Sequence, residues 1–240
     1  MSNLDIDKLR LELKNTSVEE DLAKIAEFFP GEVVFSSSFS LEDQVVTHII
    51  FSNKLNIDVF TLDTGRMFPE TYSTWTRTLE KYGQKISPYY PNEQKLEEFV
   101  KEKGPNSFYE SVENRKGCCH IRKVEPLQRA LKGKKVWITG IRAEHSQNRK
   151  DLTKLEWDEV NQVIKYHPLL YWTGKEVTDR IFIDDIPYNP LHDKGFVSIG
   201  CAPCTRAIKP GEDFRAGRWW WEDADKKECG LHVHDQTTVS

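Results

Sequence analysis

Residues 33–46, VVFSSSFSLEDQVV, carry the reading on which the fold turns. Val33-Val34-Phe35 reads as a short buried strand, Ser36 to Ser40 as a polar turn, and Leu41 to Phe51 as an amphipathic helix opened by a serine and early acids. The same order of strand, loop and helix returns in Ile57 to Leu62, Asp63-Thr64-Gly65 and Glu70 to Tyr82. It returns again in Ile86 to Tyr89 followed by Glu93 to Lys103, and a fourth unit places a helix, Cys119 to Leu131, before a strand, Val136 to Thr139, that ends in Gly140. Alternation of this kind predicts an α/β fold with a mostly parallel sheet flanked by helices.

Outward from that core, residues 5–28 mix Leu and Ile at helical spacing with many charges and stop at Pro30-Gly31, which predicts an N-terminal helical cap. Residues 150–170 read as a hairpin and Gly174 to Ile183 as one more helix. Beyond them the period is lost. Gly200 to Gly230 carries glycines, prolines, three consecutive tryptophans and two charge clusters, and is expected to be loop built around functional sites, with about 219–240 a mobile C-terminal segment.

A chain of 240 residues suits one domain over 1–240, and 38% hydrophobic with 30% charged residues suits a globular protein rather than a disordered or membrane one. No apolar run approaches the ~18–20 residues that span a bilayer, and MSNLDIDKLR has no signal-like apolar core, so the expectation is a cytoplasmic protein without membrane contact. A net charge of −4 provides no basic field for nucleic acid, so any anion must be held by a local cluster.

In a reducing cytoplasm cysteines point to metal or catalysis before disulfides. The chain has five: Cys118 and Cys119 in KGCCHIRK, Cys201 and Cys204 in GCAPCTR, and Cys229 in KKECGLH. Two distant pairs can complete a set of four ligands. Adjacent cysteines diverge and suit a single zinc ion poorly, whereas a cubane offers a separate iron to each sulfur; a [4Fe-4S] cluster is the preferred expectation, with zinc or redox-sensing thiols as alternatives. Cys229, among Lys226, Lys227 and His232, has the polar cationic setting of a reactive thiolate rather than of a buried hydrophobe.

Two features suit an anion. The serine loop, Ser36, Ser37 and Ser38, stacks hydroxyls and backbone N–H groups where a strand turns into a helix, although serines there are as often caps. Basic residues then gather near the cysteines in sequence: Arg122 and Lys123, Arg142 and Arg149, Arg215 and Arg218. Arginine binds phosphate or sulfate oxygens through two parallel N–H bonds, and lysine adds a point charge. Trp219-Trp220-Trp221 is expected to pack against the sheet or a subunit partner, which leaves a homo-oligomer open. His120, His145, His192 and His234 carry no clear role.

With KGCCHIRKVEPL, GCAPCTR, RAGRWWW and ECGLH in that order, the chain resembles the phosphoadenylyl-sulfate reductase family, and within it the cluster-bearing, assimilatory adenylyl-sulfate branch, over roughly residues 30 to 234. The resemblance implies an adenine-nucleotide α-hydrolase-like fold. It implies that Cys118, Cys119, Cys201 and Cys204 hold a [4Fe-4S] cluster and that Cys229 is the nucleophile, with His232 beside it. Lys123, Arg215 and Arg218 would face the phosphosulfate, as would Arg149 or Lys150, while Ser36 to Ser38 and Asp63, Thr64 and Gly65 would face the nucleotide. The implied reaction is reduction of adenosine 5′-phosphosulfate (APS) to sulfite and AMP, through an S-sulfocysteine resolved by thioredoxin or a glutaredoxin-like dithiol. The 3′-phosphorylated nucleotide is the alternative substrate, and a nucleotide-binding redox regulator the alternative class.

Overall fold

The computed structural model describes residues 3–14, 16–145 and 152–223. Among these, six strands form one sheet in the order β3-β2-β1-β4-β6-β5, where β1 is Val33–Ser36, β2 Asp58–Leu62, β3 Ser87–Tyr89, β4 Val136–Ile138, β5 Leu155–Asp158 and β6 Val163–Tyr166. Every neighbouring pair is parallel except β5 with β6, the hairpin at the edge. β1 leads outward to β2 and β3 on one side, and β4 pairs with its other side. The carboxyl ends of β1 and β4 therefore flank the point where strand order reverses, which in open α/β sheets is where ligands bind.

Two helices precede the sheet, α1 Asn3–Glu12 and α2 Val18–Phe28; α3 Leu41–Ser52, α4 Pro69–Tyr82, α5 Glu93–Lys103, α6 Val112–Cys119 and α7 Glu125–Leu131 lie between strands, and α8 Gly174–Ile183 follows β6. Val45, Val46, Ile49 and Ile50 of α3 are fully buried against Val33, Phe35 and Ile138, and each such side chain contributes about 1.5–3 kcal/mol of burial. Among the described residues, no helix is long and apolar enough to cross a membrane.

Two helical expectations change. The N-terminal cap is two helices, because Ser17 accepts from the Glu20 N–H while the Glu20 carboxylate accepts from the Ser17 N–H, a capping box that starts α2 afresh. The helix expected from Cys119 begins earlier, at Val112, and passes through a π-helical stretch, His120–Val124, before α7. The cysteines thus end α6 instead of opening a helix. A π turn holds an extra residue and so rotates the side chains beyond it, and it sits where Arg122 and Lys123 leave the cysteine pair.

Candidate active site

A cleft of about 260 Å³ opens at the carboxyl ends of β1, β2 and β4. Of the residues expected there, Ser36, Ser37, Ser38, Thr64, Lys123, Arg215 and Arg218 all line it, and so does Cys201.

The serine loop does more than present hydroxyls. Ser38 gives both its N–H and its O–H to the Asp43 carboxylate, each at 2.6 Å, and the Ser40 hydroxyl caps α3 by accepting from the Asp43 N–H. Ser38 is thereby committed to the protein. Ser36 Oγ accepts from Trp137 Nε1 at 2.8 Å, which leaves its own hydrogen to donate. Phe39 holds the turn with a left-handed backbone (φ 60°), unusual for a bulky residue, and is anchored by stacking on Trp75 at 5.6 Å.

The sequence marks Asp43 only as an early helix acid. It lies buried in the cleft wall, and burial pushes its carboxyl up to about 6 against the opposing Ser38 hydrogen bonds, with the Glu42 charge adding to the rise. Gly140 at the end of β4 makes room for it: a Cβ there would stand 2.1 Å from Asp43 Oδ1. Thr61 of β2 lines the same cleft, is 1% exposed, and its hydroxyl has no partner among the described residues.

Three expected residues stand elsewhere. Asp63 and Gly65 do not line the cleft; the Asp63 carboxylate accepts from the Gly65 N–H (2.8 Å) and the Tyr72 hydroxyl (2.9 Å), closing a turn. That turn delivers Thr64, whose carbonyl accepts from Arg122 and whose hydroxyl accepts from the Cys201 thiol at 3.3 Å. Arg142 is buried in ion pairs with Glu42 (2.8 Å) and Glu144, away from the cleft lining, because its carboxylate partners hold the guanidinium beside α3. Arg149, Lys150, Cys229, His232 and His234 lie outside the described residues.

Cys118, Cys119, Cys201 and Cys204, far apart in sequence, surround one small cavity, together with Arg66, Arg115, Arg122 and Lys123. Lys123 lines both this cavity and the cleft, so the two are neighbours. Burial and then charge on Cys201 push the Cys204 thiol up to about 12, and burial raises Cys118 as well. For Cys201 burial also raises the pKa, but Lys123, the Thr64 hydrogen bond, Arg218 and Arg122 outweigh it and bring the thiol below its ordinary value. Thiols this close cannot all ionise without a cation among them. Among the described residues no three His, Cys, Asp or Glu side chains converge as a single metal ion requires.

The tryptophans pack against the cysteine site and not against the sheet. Trp219, with a left-handed backbone (φ 40°), is 1% exposed and stacks beside Arg115 (4.7 Å) and Arg218 (4.8 Å), with Arg215 at 5.9 Å. Trp221 meets Tyr109 at 4.5 Å, and Phe108, Trp219 and Trp221 cluster with the cysteines. The Thr205↔Arg218 bridge ties the second cysteine pair to the arginine, whose guanidinium lies over Gly200, where a Cβ would stand 2.3 Å from it. Arg115 closes the far side by donating two buried hydrogen bonds to the Glu222 carboxylate, 2.8 and 2.9 Å. Trp219, Trp221 and Glu222 thus pack against the cysteine site.

The described geometry joins a cleft lined by Lys123, Arg215 and Arg218 at the sheet's reversal point to a thiol-lined cavity. The chain is 50% identical over 218 residues to an adenosine 5′-phosphosulfate reductase of Burkholderia cepacia, covering 91% of this chain and 87% of that one. A crystal structure of phosphoadenylyl-sulfate reductase from Candida auris superposes with a TM-score of 0.73 at 31% identity, over 87% of this chain and 98% of that one. Yeast FAD synthetase shares the fold alone, with a TM-score of 0.52 at 16% identity over 79% of this chain and 64% of that one. Residues 32–207 match the model of the phosphoadenosine phosphosulfate reductase domain, and the chain belongs to that family.

Proposed function

We propose that the protein is a thiol-dependent adenosine 5′-phosphosulfate reductase of assimilatory sulfate reduction, acting in the cytoplasm. The observation that carries this reading is the meeting of Lys123, Arg215 and Arg218 with Cys201 in one cleft at the ends of β1 and β4. A phosphosulfate anhydride is a dense anion, and three cations in a half-buried wall would offset its charge more strongly than they would in water. The 50% identity to a protein named for the 5′-phosphosulfate, against 31% to one named for the 3′-phosphorylated form, favours APS as substrate.

Chemistry at the sulfo group requires a soft nucleophile, and Cys229 is the thiol left over from the cavity quartet. A thiolate lone pair forms a bond to the sulfonyl sulfur, the sulfur–oxygen bond to AMP breaks, and AMP departs with the electron pair of that broken bond; Lys123, Arg215 and Arg218 stabilise the charge that moves onto the phosphate. His232, three residues on, is the proton-holding group proposed beside the thiol. A thiolate of an external dithiol then attacks Cys229 Sγ and releases sulfite, and the second thiol of that donor resolves the mixed disulfide. The two electrons come from the dithiol, which leaves oxidised. Cys204 is buried and Cys201 half-buried, and both line the cavity with Cys118 and Cys119, so they are assigned to that quartet and a thioredoxin or glutaredoxin-like protein is the proposed donor.

The cavity thiols fit a [4Fe-4S] cluster held by Cys118, Cys119, Cys201 and Cys204. Burial raises the Cys118 and Cys204 thiols while Lys123 and its neighbours lower Cys201, and the surrounding arginines and Lys123 suit a net anionic assembly held by the four sulfurs. When bound, the cluster supplies electrostatic and structural support beside Lys123. Iron and acid-labile sulfide near four per chain, with sulfite formed from APS and a dithiol, are the expected results; stoichiometric zinc contradicts the cofactor, and AMP binding without sulfite formation contradicts the activity.

A further inference from the structure

At the carboxyl end of β4, Thr139 lines the cleft, and its Oγ1 lies 2.6 Å from His167 Nδ1. His167 directly follows β6 and is 1% exposed. Its other ring nitrogen faces β5, with Nε2 3.5 Å from Glu156 Oε2. Hydroxyl, imidazole and carboxylate therefore run from the cleft across three adjacent strands, β4, β6 and β5. None of the three belongs to the cysteine or arginine motifs.

The order of partners dictates how the protons are arranged. An ionised carboxylate 3.5 Å from Nε2, close enough to act electrostatically without a hydrogen bond, favours the tautomer of His167 that carries its hydrogen on Nε2. Nδ1 then offers a lone pair, and the Thr139 hydroxyl must donate to it. With its single hydrogen committed behind the cleft wall, Thr139 Oγ1 has only acceptor capacity left for a ligand. We infer that Thr139, oriented by His167 and Glu156, is an acceptor for an N–H or O–H donor of the substrate's nucleoside, and so determines specificity in the nucleotide site; the inference rests on the reductase reading above.

The donor is either the exocyclic amino group of the base or a ribose hydroxyl. These share one chemistry and can be told apart. In this arrangement a nucleoside whose matching group has lost its hydrogen, by deletion or by substitution, leaves Thr139 facing an unpaired contact, which in a buried site costs about tenfold in affinity.

The test is calorimetric titration of the whole protein with AMP, IMP, 2′-deoxy-AMP and 3′-deoxy-AMP, in the wild type and in Thr139→Val. The wild type should bind one of the three analogues about tenfold more weakly than AMP, and Thr139→Val should bind that analogue and AMP equally. Glu156→Gln, placed at the less buried end, relaxes the tautomer choice and should narrow the same gap while leaving the melting temperature close to wild type; a purely structural role for Glu156 would leave the gap intact. Parallel losses in wild type and Thr139→Val, or a gap that instead accompanies loss of an acceptor in 7-deaza-AMP, overturn the inference while the reductase reading stands. Failure of AMP itself to bind overturns both.

Discussion

Asp43→Asn isolates the electrostatics of the cleft wall. The Asp43 carboxyl has its pKa raised from 3.8 to about 6, chiefly by burial. A group that holds its proton more tightly when folded stabilises the fold while it is protonated, so its contribution is full below about pH 4 and is lost as pH rises through 6. With 1.36 kcal/mol per pKa unit, linkage between 3.8 and about 6 amounts to a loss of about 2 kcal/mol from pH 4 to 7.5, of which about 1 kcal/mol falls between pH 5 and 7.5. The asparagine side chain would not titrate, and its altered bonding to Ser38 adds a pH-independent offset. The stability of the variant relative to wild type should therefore improve by about 1 kcal/mol between pH 5 and 7.5, whatever the offset. Urea denaturation of both proteins at half-unit pH steps measures it. A difference that stays constant within about 0.3 kcal/mol across that range would refute the assignment of a titrating, desolvated carboxylate to this wall.

Arg115→Met should cost about 3–5 kcal/mol, because it strands the buried Glu222 carboxylate, while the double variant Arg115→Met/Glu222→Leu should regain most of that; urea midpoints of the single variants and the pair check it, and a single-variant loss under about 1 kcal/mol would count against the buried pair. Gly140→Ala places a methyl group 2.1 Å from Asp43 Oδ1 and should displace Asp43 and Ser38, at about 1–3 kcal/mol of strain, lowering AMP affinity about tenfold with unchanged far-ultraviolet circular dichroism; AMP binding at wild-type affinity would contradict the packing. Cys204→Ser removes one of the four cavity thiols and should lower bound iron together with the melting temperature, while iron retained at wild-type stoichiometry would remove Cys204 from the ligand set.

The α/β alternation is legible because strands such as Val33–Ser36 and helices such as Glu93–Lys103 carry their period and caps locally. The four paired cysteines and the Lys123, Arg215 and Arg218 cations are also legible, because motif and charge chemistry survive in one dimension. The features that fail to show are tertiary in origin. Asp63 looks like a cleft acid but is consumed by Gly65 and Tyr72, and Arg142 looks like an anion ligand but is consumed by Glu42 and Glu144. Asp43 carries the signature of a helix-opening acid, and only Gly140, almost a hundred positions on, reveals that the wall is cut to fit it. His167 lies in a hairpin whose pattern speaks only of strands. The left-handed backbone of Trp219 and its stack of arginines need the chain to fold back through the Thr205↔Arg218 bridge.

Mass spectrometry of the peptide containing Cys229, after reduced protein is mixed with APS in the absence of a dithiol, tests the central claim most directly. The account predicts a single sulfo adduct on Cys229, discharged as sulfite when thioredoxin is added and absent from Cys229→Ser, which should also make no sulfite. An adduct on any other residue, or undiminished sulfite production by Cys229→Ser, would contradict it.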